Sequence, residues 1–406
     1  MQLLHAIVRS ALALGLAAAV ACDQAGPAAD SGPDDSSASD ADAVDGDAGR
    51  PDGDAGDAAP GDADAPDTST TCSDEDIAAF EASMAATLDA AAVDTEITRD
   101  PDFTVLLETE DGRAFEHTHG EFSGTTPYES ASTSKWVTAV VILDLVDQGL
   151  LTTETRASEL LPFWTETSVT LAHLLAFTSG FSDEPFCINN PRAVFAECVQ
   201  TIFESNVDAA APAGTEFDYS GTHMQVAGLM AVTAAGAADW TEVFDAFKAR
   251  TGLFAESVYD LPSETNPRLA GGMTVTGEEY LAFLRAVYRG DVLEPATRTA
   301  LLANHRGDAT VVGSPVLTAV GEDWAYGFGN WLECPTATEP NSYDCGEGHR
   351  NSSPGAYGAY PFVDFDHRYF GIVARQGALA SGRDGVRLFR TIEDVAGQWA
   401  TRACGD

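Results

Sequence analysis

Lysine is nearly absent from this chain. Of its 21 basic residues only Lys135 and Lys248 are lysines, and the other nineteen are arginines. Positive charge as a whole is scarce, because 64 acidic residues leave a net charge of −43. A chain this acidic is repelled by phosphate backbones, which excludes nucleic acid as an expected partner. Beyond the first 22 positions, no apolar run approaches the roughly eighteen residues that a membrane-spanning helix requires. CxxC spacings are missing too, so the seven cysteines do not form a zinc pattern. What remains is 44% hydrophobic and 21% charged, enough for a large folded domain.

Three segments follow from composition. Residues 1–21 have the form of an export signal, with His5 and Arg9 preceding the apolar stretch Ala11–Ala21. The small residues Ala19, Val20 and Ala21 lead into Cys22, a pattern that resembles a bacterial lipobox, in which that cysteine carries the lipid anchor. Residues 22–71 then form a linker of Asp, Ala, Gly, Pro, Ser and Thr. Fourteen aspartates against Arg50 give positions 23–71 a charge of −13. With little to bury, this stretch is expected to be a disordered tether. Asp45-Gly46-Asp47 superficially looks like a calcium loop but lacks the closing glutamate. From Cys72 onward the chain is globular in composition, so residues 72–406 are assigned to one domain. Setting Cys22 aside leaves six cysteines, an even number in an exported chain. Cys187/Cys198 and Cys334/Cys345 are close enough to staple loops, and Cys72/Cys404 pair by elimination.

Ser73-Asp74-Glu75-Asp76 looks like a helix cap and first turn, opening a helix to about Ala91. Phe103–Glu108 and Arg113–Thr118 flank Asp111-Gly112, a hairpin signal. A largely apolar helix is expected from Ser132 to Gln148, stopped by Gly149. The middle of the chain has mostly helical patterning. Tyr357–Asp364 and Arg368–Arg375 form a second hairpin, and Gly385–Ala403 a closing helix. Strands at both ends around a helical insert indicate an α+β domain.

One of the two lysines sits three residues after a serine, in Ser132-Thr133-Ser134-Lys135. Positions i and i+3 share a helix face, so hydroxyl and amine can be neighbours. A buried lysine can lose its proton and act as a base, which arginine effectively cannot do. Leu171-Ala172-His173-Leu174-Leu175-Ala176-Phe177-Thr178-Ser179-Gly180 follows some forty residues later, and Pro212–Ser220 contains Tyr219. Leu269-Ala270-Gly271-Gly272-Met273 and Tyr326-Gly327-Phe328-Gly329 come in turn. Together these segments resemble the serine β-lactamase and penicillin-binding superfamily. The likeness is to its class C branch, with D-alanyl-D-alanine carboxypeptidase and family VIII-type esterase relatives, over about residues 95–400.

The resemblance implies a β-lactamase/transpeptidase-like antiparallel sheet flanked by helices, with a helical subdomain. It makes Ser132 the acylated nucleophile and Lys135 its proton acceptor. Tyr219 would share the base role and protonate the leaving group. The backbone N–H groups of Ser132 and Ser352 would form the oxyanion hole. Two positions depart from the pattern. Gly221 stands where the second motif has asparagine, leaving Thr222 or Gln225 as the nearest substitutes. His349-Arg350-Asn351 holds the third-motif position, with Asn351 in place of glycine, which would narrow the cleft. A mostly neutral His349 and the acidic chain favour neutral esters or amides over anionic substrates, although Arg350 could add charge.

His117 and His119 are expected to face solvent on a strand, His173 and His223 to pack or cap, and Phe163 and Trp164 to pack. The resulting expectation is an exported, lipid-anchored serine hydrolase of the cell envelope. It would act on a small ester or amide with neither cofactor nor metal, and only the lipid would touch the membrane. A catalytically impaired envelope protein that uses the same fold as a binding or scaffolding module is the alternative, motivated by Gly221 and Asn351.

Overall fold

The computed structural model describes residues 72–404; the expected signal, the Cys22 anchor and the linker lie outside the described residues. Ser73 closes a capping box with Asp76, and helix α1 (Asp74–Ala92) follows as its sequence requires. Strands β1 (Phe103–Thr109) and β2 (Ala114–His119) pair antiparallel around Asp111-Gly112. His117 and His119 both bond the Asp89 carboxylate, at 3.0 and 2.9 Å, and fasten β2 to α1 rather than facing free solvent.

Strand β3 (Tyr128–Glu129) leads into a 3₁₀ turn, Ala131–Thr133, and then helix α2 (Ser134–Asp147). Every residue of α2 from Ser134 to Leu145 is buried, in keeping with an apolar surface on all sides. The helical part continues through α3 (Leu171–Leu175), strand β4 (Glu216–Asp218) and α4 (Thr222–Ala235), the last also almost fully buried. Strand β5 (Met273–Val275) pairs with β3, after which α5 (Gly277–Arg289) returns to the main sheet.

The C-terminal third supplies β6 (Thr310–Gly313), which pairs with β4, then a short helix α6 (Pro315–Ala319). Strands β7 (Ala325–Tyr326), β8 (Trp331–Leu332), β9 (Arg350–Ser352), β10 (Tyr360–Asp364) and β11 (Tyr369–Ala374) follow. The seven-stranded sheet runs β7-β8-β9-β10-β11-β1-β2 and is antiparallel throughout. The first and last parts of the domain therefore meet at the β11–β1 pair, in register from Thr104↔Ala374 to Thr109↔Tyr369. Both faces are covered. Phe370 packs on Tyr288 of α5, while Tyr369 and Phe362 pack on Phe389 from the other side.

The expected closing helix is in fact two, α7 (Gly382–Arg390) and α8 (Glu393–Thr401), because the chain breaks at Thr391–Ile392. The three expected bridges form: Cys72–Cys404, Cys187–Cys198 and Cys334–Cys345. Phe163 and Trp164 pack on Phe203, as expected of aromatics under a loop.

Candidate active site

Ser132 does not sit on α2 itself but on the tight turn before it. Its predecessor Ala131 takes φ of 47°, a left-handed conformation that costs a non-glycine residue energy. Neighbouring bonds hold that conformation. Ser130 N–H donates to Met273 O at 2.9 Å, and the Ser134 hydroxyl donates to Ala131 O at 2.8 Å. Tyr280 donates to Thr133 O at 2.8 Å. The turn is thus anchored to β5 and α5, and Ser132 keeps partial exposure while its neighbours are buried.

Lys135 lies one turn on, 3% exposed, with its Nζ 2.9 Å from Ser132 Oγ and 2.7 Å from Ala270 O. Burial, reinforced by the charge of Arg268 and opposed by Glu184, lowers its pKa to about 7. As a neutral amine it can donate one hydrogen to Ala270 O and turn its lone pair to the serine hydroxyl. That is the geometry of a general base. The Nζ also lies 4.6 Å from the centre of the Tyr219 ring.

Tyr219 is held at the β4–α4 junction by its N–H to Gly313 O at 3.0 Å. Its ring stacks on Trp331 with centroids 5.0 Å apart and meets Phe177 and Tyr326 at 5.3 and 5.9 Å. This wall pushes its pKa up to about 12, although contacts with Ser132 and Trp331 pull the other way. The side chain is therefore a phenol at neutral pH. It can deliver a proton in that state.

The Thr178–Gly180 segment positions Tyr219. Gly214 N–H donates to Thr178 O, and Asp218 N–H donates to Phe177 O. Gly180, at φ 79°, passes so close to Ala211 O that a Cβ would stand 2.0 Å from it, so only glycine fits. His223, expected to pack, also locks this loop. The Ser179 hydroxyl donates to its Nδ1 at 2.9 Å, and its Nε2–H donates to Asp218 O at 3.0 Å. Burial lowers its pKa to about 4. The folded protein thus binds fewer protons than the unfolded chain between about 4 and 6.5. Stability from this group is present above pH 6.5 and is lost as pH falls through that window, by up to roughly 2–3 kcal/mol. Urea unfolding of wild type and His223→Gln at pH 7 and pH 4.5 should show a smaller acid loss in the variant. Equal losses would remove His223 as the cause. His173, by contrast, completes a capping box with Thr170 on α3 and stays out of the site.

Strand β9 reaches the nucleophile at its C-terminal end, where the Ser353 hydroxyl donates to Ser132 O at 3.1 Å. That contact sets the Ser352 end of β9 beside the Ser132 backbone, so the two residues expected to supply oxyanion N–H groups lie together. The rest of the third motif does not behave as expected. His349 is three residues back along the strand, about 10 Å at the usual rise. Its Nδ1 pairs with Asp366 at 2.8 Å, on the β10–β11 turn. The carboxylate raises its pKa. Arg350 is buried among Asp364, Glu393 and Glu333. Neither cation is brought to Ser132.

Asn351 corrects a second expectation. It is 1% exposed, and its amide donates to Asn330 Oδ1 at 2.7 Å and Leu302 O at 3.2 Å. The side chain is stored beneath the strand and does not narrow the cleft. At the other departure, Gly221 N–H donates to Glu184, which occupies the space where a Cβ would point. Thr222 and Gln225 do not substitute for the missing asparagine. Thr222 donates to Phe181 O, and Gln225 is spent on Pro267 O and Leu269 N–H.

Arg268, Glu184 and Trp331 were not singled out by sequence. Only the adjacency of Arg268 to Leu269–Met273 offered a signal. A cavity of about 100 Å³ opens beside Tyr219, lined by Pro315, Val316, Val320, Trp331, Ala356 and Val386. A larger one, about 340 Å³, lies at the far end of β9 with His349 and Arg350 and is remote from the serine. Among the described residues, the one grouping with metal-ligand spacing is Cys334, Asp344 and Cys345, whose sulfurs are joined in a disulfide.

A family model for β-lactamase matches residues 104–387, more than two thirds of the chain, and the chain belongs to that family. Among solved structures it is similar to a putative β-lactamase from Bacteroides dorei DSM 17855. The two share 28% identity at a TM-score of 0.63, over 73% of this chain and 94% of that one. The hydrolase EstCE1, described with promiscuous acyltransferase activity, shares the fold at 18% identity and a TM-score of 0.62, over 78% and 98% of the two chains. So does a D-stereospecific amidohydrolase from Streptomyces sp., at 17% identity and 0.54, over 76% and 97%. No curated protein matches the chain.

Proposed function

We propose that this protein is an exported, lipid-anchored serine hydrolase that cleaves small esters or amides through an acyl-enzyme. Lys135 takes the Ser132 proton as Oγ attacks the carbonyl carbon, and the oxyanion is held by the Ser132 and Ser352 N–H groups. Tyr219 gives its proton to the leaving group and is replenished from Lys135. Water then attacks the acyl ester, losing its proton to Lys135, and Ser132 leaves and is reprotonated. The observation that carries this reading is the 2.9 Å contact between a serine hydroxyl and a buried amine whose pKa is about 7.

Reaction with a fluorophosphonate probe, followed by peptide mass spectrometry, tests it. A single adduct on Ser132, with hydrolysis of short p-nitrophenyl esters, is expected. A folded protein that takes up no probe and turns over no ester would instead be the binding or scaffolding module.

A further inference from the structure

Tyr219 forms one wall of the cavity of about 100 Å³, and none of the residues that line this cavity carries a charge. In a chain of net charge −43 that is an uncommon stretch of surface. Val316 of α6 and Val320 just after it make one side, Val386 of α7 and Ala356 another, and Trp331 of β8 the floor. Val316, Trp331 and Val386 are buried. Protein interiors are close-packed, and an apolar space left unfilled costs stability. Its place against the proton donor gives this one a use.

The pieces of chain that wall the cavity also hold the reacting groups. Gly313 O accepts the Tyr219 N–H, and α6 starts two residues later, where the Ser314 hydroxyl accepts from Leu317 N–H at 3.2 Å. Trp331 stacks on the Tyr219 ring with 19° between the planes. On the opposite side, Gly355 passes the turn of the nucleophile so closely that a Cβ would stand 2.7 Å from Ser130 O. Helix α7 rests on that same loop, since a Cβ on Gly382 would meet Gly355 O at 3.2 Å and one on Gly385 would meet Gly358 O at 2.0 Å. The walls are therefore fixed relative to both Ser132 and Tyr219. Neither Ser132 nor Lys135 lines the cavity. What enters it is the part of the substrate that Tyr219 protonates, not the acyl part that becomes bonded to Ser132.

We infer that this cavity is the leaving-group subsite, and that the alcohol or amine released is an uncharged aliphatic group of about four carbons or fewer. The size follows from the volume, which has room for roughly three to four methylene-sized groups at ~30 Å³ each. This rests on the acyl-hydrolase reading above and narrows its substrate. A leaving group that ends in a carboxylate or an ammonium would bring its charge against walls with no counter-charge, where an unpaired ion is costly to bury. p-Nitrophenolate departs as an anion and needs no proton from Tyr219, so p-nitrophenyl esters report the hydrolase reading without calling on this subsite.

The test is kcat/KM, which reports acylation, for the acetate esters of the linear alcohols from methanol to hexanol, followed by pH-stat titration. Wild type should gain about fourfold per added carbon up to butyl and nothing beyond it. Replacing butyl by 3-carboxypropyl or 4-aminobutyl should lose at least about tenfold. Val316→Ala should move the last gain one or two carbons further, and Ala356→Val should bring it back by one or two. The shifts come from different walls, so either variant serves if the other does not fold. A wild type flat from methyl to butyl or still rising at hexyl, a charged end tolerated without loss, or a limit that the folded variants leave in place overturns this inference alone, provided p-nitrophenyl acetate is hydrolysed. A protein that hydrolyses neither p-nitrophenyl acetate nor any alkyl acetate overturns the hydrolase reading and this inference with it.

Discussion

Ester turnover should fall by at least 10³-fold in Ser132→Ala and in Lys135→Arg, and the two losses combined in one chain should be no larger than either alone. Residues that act as a unit are strongly non-additive, since removing the nucleophile leaves the base nothing to activate. Lys135→Arg is the sharper test. It keeps the charge and much of the volume but cannot deprotonate near neutrality. The pH profile gives an independent readout. With the folded pKa of Lys135 at about 7, kcat/KM should rise through that value toward alkaline pH as the amine becomes neutral. Tyr219, whose pKa is pushed up to about 12, contributes no limb below pH 10. Steady-state kinetics of wild type and the three variants from pH 5 to 10 checks both points. A Lys135→Arg enzyme with more than a tenth of wild-type activity would remove the lysine from the mechanism.

The second large effect is on stability, and its sign is opposite. An unfolded lysine keeps its proton to about pH 10.5, whereas the folded one releases it near 7. Between those values the unfolded chain binds more protons, so stability rises with pH across the window, and the full penalty is present below pH 7. That penalty is roughly 2–5 kcal/mol, reduced in practice by relaxation around the buried amine. Lys135→Met fills the same space without a charge. It should therefore be inactive yet more stable than wild type by roughly 2–4 kcal/mol at pH 6, with the difference shrinking toward pH 10. Guanidinium unfolding at both pH values measures this. A variant less stable than wild type at pH 6 would mean that the bonds to Ser132 and Ala270 outweigh desolvation.

The parts of the site that could be read in the sequence are those whose geometry is set by short stretches of chain. Ser132 and Lys135 meet because they stand three positions apart, and Tyr219 follows a turn whose Pro/Gly pattern is local. Residues 349–351 were misread for the complementary reason. Asn351 needs no space in the cleft because Asn330, twenty-one positions away, receives its amide. His349 is turned aside by Asp366 on a different hairpin. Nothing in the local sequence marks either partner. Gln225 is similar: as a stand-in for a missing amide it looked available, and only the fold reveals that it holds both sides of Arg268. At the level of architecture, the hairpins and the buried helix follow from periodicity and turn residues. The break at Thr391–Ile392 does not, since neither glycine nor proline announces it.

The Cys72–Cys404 bridge brings the two ends of the folded part to a Cα separation of 5.4 Å. A short peptide could join them without disturbing either terminal helix, and the chain could then be reopened at an exposed hairpin tip such as Asp111-Gly112. The part from Cys72 to Cys404 is in effect a closed ring, so the point at which that part is opened is separable from the position of its chemistry.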